Sequence, residues 1–440
     1  MTTPVEHYVS ARQELVLPGS GQAWLDALRD AGASSFRESG FPTVRDENWR
    51  YTNIRPILKQ TFAPVAPAGD GSGDEDIAKF TLPELHSHRL VFIDGHYAPA
   101  LSSIGQVPEG ISVESMANAV LGGLEGVGQW LGKCMPEAGD GFTSLNTAFI
   151  EDGLYLHVAR DHHVELPVEV VFFNTEAGGQ LVQPRNLYVV GENSQVHIIE
   201  RYVSAGGSHL TNSVTELVAC GSAVVEHTRL QEEGAGAFHV GGLFVRANGD
   251  SRVVSNNLAL GSMIARTNLN VVLADEGACC ELNGLYLGSG RQHIDNFTQV
   301  DHQQPNCKSD QLYKGVLNDR ARAVFHGRVV VHEGAQHTDA RQQNRNLLLS
   351  ANAEVDTKPQ LEIYADDVKC SHGATVGQLD EDAMYYMRTR GIDVTTARSL
   401  LTWAFAADVI NRVSSRPVRN HVEGVLGHKL FSVDRLEDLV

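Results

Sequence analysis

The sequence predicts a mainly β protein: a solenoid of stacked strand coils over residues 136–378, between helical segments at 1–135 and 379–440. Three observations carry this. From about residue 143 to 378, short β-rich runs follow one another with little helical periodicity, among them LPVEVVFFN, QVHIIERYV, SAVVEHTRL, AVFHGRVVVHEG and LEIYA. Many runs open after a Gly, Asn or Asp turn and a small residue: GSA at 221–223, NGDS at 248–251, EGAC at 276–279, NDRA at 318–321 and ANA at 351–353. These openings lie about 27–42 residues apart, a weak and irregular repeat of the kind stacked coils produce. Finally, helical spacing is confined to the two flanks. A large antiparallel sandwich is the competing architecture. The long stretch without helices and the loose repeat favour the solenoid.

The elements read as follows. In AWLDALRDAG, Trp24, Leu25 and Leu28 recur at helical spacing until a glycine stops the run. Pro42 and Pro56 punctuate FPTVRDENWRYTNIRPIL, and APAGDGSGDED at 66–76 has the composition of an exposed linker. RLVFIDGHYAPAL at 89–101 predicts a short strand pair turning at Asp94 and Gly95, and 112–134 predicts a helix weakened by its glycines. Beyond Gly377, LDEDAMYYMRTRG carries acids at its start and Gly391 at its stop. Thr395 or Thr396 is placed to cap the next helix, whose stripe of Leu400, Leu401, Ala404, Phe405 and Ile410 faces either the protein's own core or a partner's groove.

Composition narrows the function. The 440 residues carry a formal charge of −19 and a pI near 5.4, a surface that repels phosphate backbones and argues against nucleic acid as a partner. No apolar run reaches the roughly 18 residues that span a bilayer, which argues against a membrane protein. The N-terminus lacks a basic region followed by an apolar stretch, so a reducing, cytoplasmic location is expected. Six sparse cysteines, without a regular disulfide framework, agree with that.

Energy-coupling and redox motifs are missing. GQWLGK at 128–133 only superficially resembles a phosphate loop, because the first glycine position is Val127 and Cys134 follows the lysine. No GxGxxG, GxSxG or CxxC pattern occurs in a suitable context. The informative segment is LEIYADDVKCSHGATVG at 361–377. On an extended backbone Cys370 and His372 share a face, about 6.6 Å apart along the strand. A thiolate and an imidazole so placed suit iron or an iron–sulfur cluster. Two ligands do not complete a site, so a second chain or distant residues would supply the rest; a buried cysteine beside a hydrogen-bonded histidine is the structural alternative. His326, His332 and His337, with Glu333, Asp339 and Arg345, form a second cluster, though without HxxxH or HExxH spacing. Cys279 and Cys280 are a third, and neighbours on a strand point to opposite faces, so one of them belongs to the core.

At this point the sequence resembles the SufB/SufD family of iron–sulfur cluster assembly scaffold proteins. The likeness is densest over residues 324–392, from VFHGRVVVHEGAQHTDARQQNRNLLLS through YADDVKCSHGATVGQ to MRTRGI. RDENWRYTNIRPIL at 45–58 is similar to the family's E-x-W-[RK]-Y-T signature. The string Cys-Ser-His-Gly-Ala-Thr at 370–375 resembles the SufD branch, where SufB tends to read Cys-Glu-His-Glu-Ala. The resemblance implies a right-handed parallel β-helix between helical domains and a non-catalytic scaffold role. It implies pairing with a SufB-like subunit through β-helix ends and docking of a SufC-like ATPase on the C-terminal helices. The docking residues would be Met384, Met387, Leu400, Leu401 and Phe405, within 383–410. His372, with Cys370 as a less certain companion, would bind iron or a transient Fe–S cluster at the SufB interface, with nothing tightly bound to the isolated chain. A self-sufficient iron- or cluster-binding homodimer is the alternative. A polysaccharide-acting β-helix enzyme would need paired carboxylates on one face. Asp366 and Asp367 are the only suggestive pair, and as neighbours they would point apart.

Overall fold

From Gln195 to Gly377, strands of eight to eleven residues alternate between two sheets, and every pairing among them is parallel. The computed structural model describes residues 3–65, 77–124, 126–136 and 139–431. It is a β-solenoid with helices in its N- and C-terminal segments, and the parallel ladders exclude the antiparallel sandwich. Among the described residues each sheet has ten strands. Val225, Val253, Cys280, Ser309, Ala340 and Cys370 stack in register, so successive coils take 27 to 31 residues. The looser spacing expected from sequence arose because the openings at 318 and 351 lie at the opposite corner of the coil from those at 221, 248 and 276.

One corner explains the repeat. Asn193, Ser222, Asp250, Gly277, Asn306 and His337 all adopt left-handed backbone, with φ between +54° and +76°. Asn, Asp and Gly tolerate that region at least cost. Each amide in this column donates to a turn carbonyl one coil on, from Asn193 to Gly221 through to His337 and Asp367.

Between the sheets lies the main apolar core, with Leu282, Tyr286, Val300, Tyr313 and Phe325 among its members. The first end of the solenoid is sealed. His88–Ile93 and His96–Tyr97 form the expected strand pair, antiparallel, and Ile111–Ser115 lies antiparallel on Leu154–Val158. The helices Pro4–Glu14, Ala23–Ser39 and Gly141–Ala148 pack beside them. The single helix expected over 112–134 is instead a strand followed by two short helices, Met116–Leu121 and Val127–Trp130. Gly123 and Gly126 take φ of +64° and +95° and break it. The linker expected at 66–76 lies outside the described residues.

The helices Glu381–Thr389, Val394–Ile410 and Arg416–Phe431 follow the last strand and run back along the sheet, where Lys429 donates to Leu260 O and His421 meets Glu232. The cap of the middle one is Asp393, whose carboxylate accepts from the amides of both Thr395 and Thr396, rather than either threonine. Its buried face is also not the expected stripe. Ala397, Ser399, Thr402, Ala406, Val409 and Ile410 are buried, because small side chains let the helix lie close on the sheet. Its C-terminal part packs on Leu230, Leu258, Leu285 and Val316. Of the stripe, only Ile410 is fully buried; Leu400, Leu401 and Phe405 are half-buried and Ala404 is exposed. Among the described residues no helix is long and apolar enough to cross a membrane.

Candidate functional site: the open last coil

The strands Glu354–Ile363 and Lys369–Gly377 end the two sheets, and each pairs along only one edge. In register, Cys370 stacks on Ala340 and His372 on Gln342. Ala340 and Gln342 are buried and face the interior. Cys370 and His372 therefore share the inward face, as their spacing predicts, and sit where the interior opens. Lys369 donates its amide to Thr338 O at 2.8 Å. Strand alternation then aims the backbone N–H and C=O groups of Cys370, His372, Ala374 and Val376 out of the open end. Exposed Ile363, Tyr364 and Val376 surround the mouth.

The two side chains differ in setting. Cys370 is half-buried against an apolar cluster of Val329, Val331, Ala335, Ala340 and Ala365, beside Leu361 and Val368. Burial pushes its thiol up from the ordinary value. The thiolate that binds metal is thus disfavoured at neutral pH in the free chain. His372 is exposed. Among the described residues, no group of three or more His, Cys, Asp or Glu is arranged to hold a metal ion.

The second histidine cluster does not converge. His326 is buried, with its ring 2.7 Å from Gln360 Oε1 and edge-on to Phe297. His332 is half-exposed, 3.8 Å from Asp301. His337 belongs to the left-handed corner, its ring 3.0 Å from Asp367. Of the adjacent cysteines, Cys280 is core and Cys279 half-buried, as alternation predicts. Burial pushes the Cys280 thiol up strongly and that of Cys307 to about 11, so both behave as inert packing groups.

Sequence reasoning missed the polar interior. Glu200 is fully buried and accepts from Tyr188, Tyr202 and Thr215 at 2.7–2.9 Å. Burial raises its carboxyl, but His227, Arg229 and the Tyr188 hydroxyl outweigh that and hold it at about 2. Glu233 lies 2.7 Å from His239 and 3.2 Å from His209, all buried. The available signal was glycine: a Cβ on Gly241 would collide with the Arg229 guanidinium, so glycine there makes room for an inward arginine.

On the C-terminal side, the helix Glu381–Thr389 has no buried residue, and Met384 and Met387 are half-buried. Met384 lines a cavity of about 400 Å³ with Leu348, Leu349, Val394 and Arg398. Lys314 reaches out of the sheet, donates to Phe405 O and pairs with Asp408 at 2.5 Å, with the Phe405 ring 4.5 Å from its ammonium.

The fold and its open coil define a parallel β-solenoid scaffold with helical flanks. Residues 172–405 match the SufBD core domain of the SUF system for FeS cluster assembly, and residues 5–170 match the SufBD protein N-terminal region. The chain is 32% identical to an iron–sulfur cluster assembly SufBD family protein of Synechocystis sp., over 91% of this chain and 90% of that one. It is 31% identical to the iron–sulfur cluster assembly protein SufD of Escherichia coli, over 89% and 90%. Against SufD of Bacillus subtilis the identity is 25%, over 93% and 94%. The chain belongs to the SufBD family of iron–sulfur cluster assembly proteins and is close to SufD within it.

Proposed function

We propose that this chain is a non-catalytic, cytoplasmic scaffold subunit that pairs with a SufB-type chain through its open last coil. His372 then ligates iron or a nascent cluster in the covered mouth, with partner thiolates completing the site. The observation that carries this reading is the uncapped coil: two bare strand edges flank an inward-facing histidine and cysteine. Burial disfavours the thiolate that Cys370 would need as a ligand, which ranks His372 first. The half-buried Met384, Met387, Leu400, Leu401 and Phe405 form the surface offered to a SufC-type ATPase, to which ATP hydrolysis is delegated. Leu401 is the cleaner site for an aspartate substitution, because Phe405 also packs on Lys314.

The deciding experiment is His372→Ala in the co-purified complex. Assembly is expected to persist while cluster build-up falls, read from the visible absorbance of clusters and from bound iron. Normal cluster yield in that variant would sink the assignment. A stable stoichiometric cluster on the isolated chain would instead favour a self-sufficient homodimer.

A further inference from the structure

A file of polar side chains runs inside the solenoid toward the open coil. Thr298 Oγ1 donates to Gln311 Oε1 at 2.9 Å, and Gln342 Nε2 donates to the same oxygen at 3.4 Å. All three residues are buried. The Gln342 amide extends over Gly327, where an added Cβ would come within 2.3 Å of Nε2, so glycine at 327 is the cradle for this side chain. Gln342 Oε1 is buried with no partner. Across the interior, on the last coil, Thr357 Oγ1 is also buried with no partner. Gln342 Oε1 can only accept, and a buried acceptor left unpaired carries a full desolvation cost, so a missing donor is the feature to explain. The residue stacked on Gln342 in the final strand is His372, and adjacent strands lie about 4.8 Å apart. An imidazole spans that gap.

We propose that Gln342 is the positioning residue for His372, an inference that rests on the ligand role proposed above. When a partner covers the last coil and excludes water, Gln342 Oε1 accepts one ring N–H of His372. The other ring nitrogen is thereby left with its lone pair and directed out of the mouth toward iron. Histidine ligands are oriented through the hydrogen bond of their second nitrogen, which also selects the tautomer. The Thr298–Gln311 relay holds the Gln342 amide in the orientation that frees its oxygen.

The test uses the purified complex with a SufB-type chain. Pairing affinity is measured for the wild type, Gln342→Met, His372→Ala and the double variant, and histidine ring nitrogens are followed by NMR after 15N-histidine labelling. His372 is assigned by the signal that His372→Ala removes. In the wild type and Gln342→Glu, which keeps an acceptor, one ring nitrogen of His372 is expected to be protonated and protected from exchange. In Gln342→Met that protection is lost, and pairing weakens about fivefold to tenfold with no further loss in the double variant. An unchanged ring signal in Gln342→Met, or fully independent effects of the two substitutions, overturns the positioning role. If His372→Ala lowers cluster yield while Gln342→Met changes nothing, positioning alone falls. If His372→Ala leaves yield unchanged, the ligand reading falls with it.

Discussion

The two ends of the solenoid are built from the same coil and finished in opposite ways. At the first end the sheets close on antiparallel partners, and helices cover what remains. Buried Arg29 donates twice to Ile150 O and once to Pro18 O there. From there the segment carrying Trp49 runs along the side of the solenoid, where Trp49 stacks on Phe142 and lies under the Arg266 guanidinium of a middle strand. At the last end no described strand continues the ladders, and nine- and ten-residue edges stand bare. A long open edge invites pairing with other chains, and proteins normally blunt it. On the proposed reading, the first end carries stability and the last end carries recognition.

That division can be broken at the sealed end with the largest effect. Glu216 pairs with Arg185 at 2.6 Å, both fully buried, and accepts the amides of Gly132 and Cys134, fastening the N-terminal region to the solenoid. Glu216→Ala leaves a buried arginine uncompensated and should cost about 3–5 kcal/mol in denaturant unfolding. Next comes pH. His302 is buried beside Ser309, and burial lowers it from 6.5 to about 4. Between those values the unfolded chain binds the proton and the folded chain does not. Stability therefore falls as pH drops from 6.5 toward 4, by on the order of 3 kcal/mol. His302→Gln should flatten that part of the unfolding-versus-pH curve. At the open end, Ala374→Pro removes an N–H that points away from the protein, a position where an edge strand tolerates proline. Unfolding should move by less than about 0.5 kcal/mol, while partner affinity drops at least tenfold, about 1.4 kcal/mol. A stability loss without a pairing loss would reverse the assignment of the two ends. The smallest effect belongs to Glu47, which pairs with Lys358 at 2.9 Å on the outer surface. Glu47→Ala should leave unfolding unchanged and alter pairing only at low salt.

Much of this was legible in the sequence, for identifiable reasons. Strand content showed because residues 143–378 lack helical period, and the shared face of Cys370 and His372 followed from their spacing alone. Which face was hidden: alternation separates two sides without saying which is inside, and only the buried partners Ala340 and Gln342 settle it. Coil length was blurred because two corners of the coil carry similar turn residues. The inward Glu200, Arg229 and Glu233 were invisible because charged residues in a strand read as solvent-facing; their partners lie on other coils, at contacts that no local pattern records. The helix face at 394–410 was misjudged because large apolar residues outweighed the alanines that make the contact.

The left-handed corner column has a mechanical consequence. Each turn is tied to the next, so a coil cannot gain or lose a residue there without breaking a link, and the strands advance in fixed steps of about 4.8 Å. Lys314 anchors the C-terminal helix two such steps from the final strand. The solenoid is therefore a ruler and a stiff lever at once. A push delivered to that helix would reach the final strand at Thr375, about 10 Å away and three residues from His372, with little absorbed on the way.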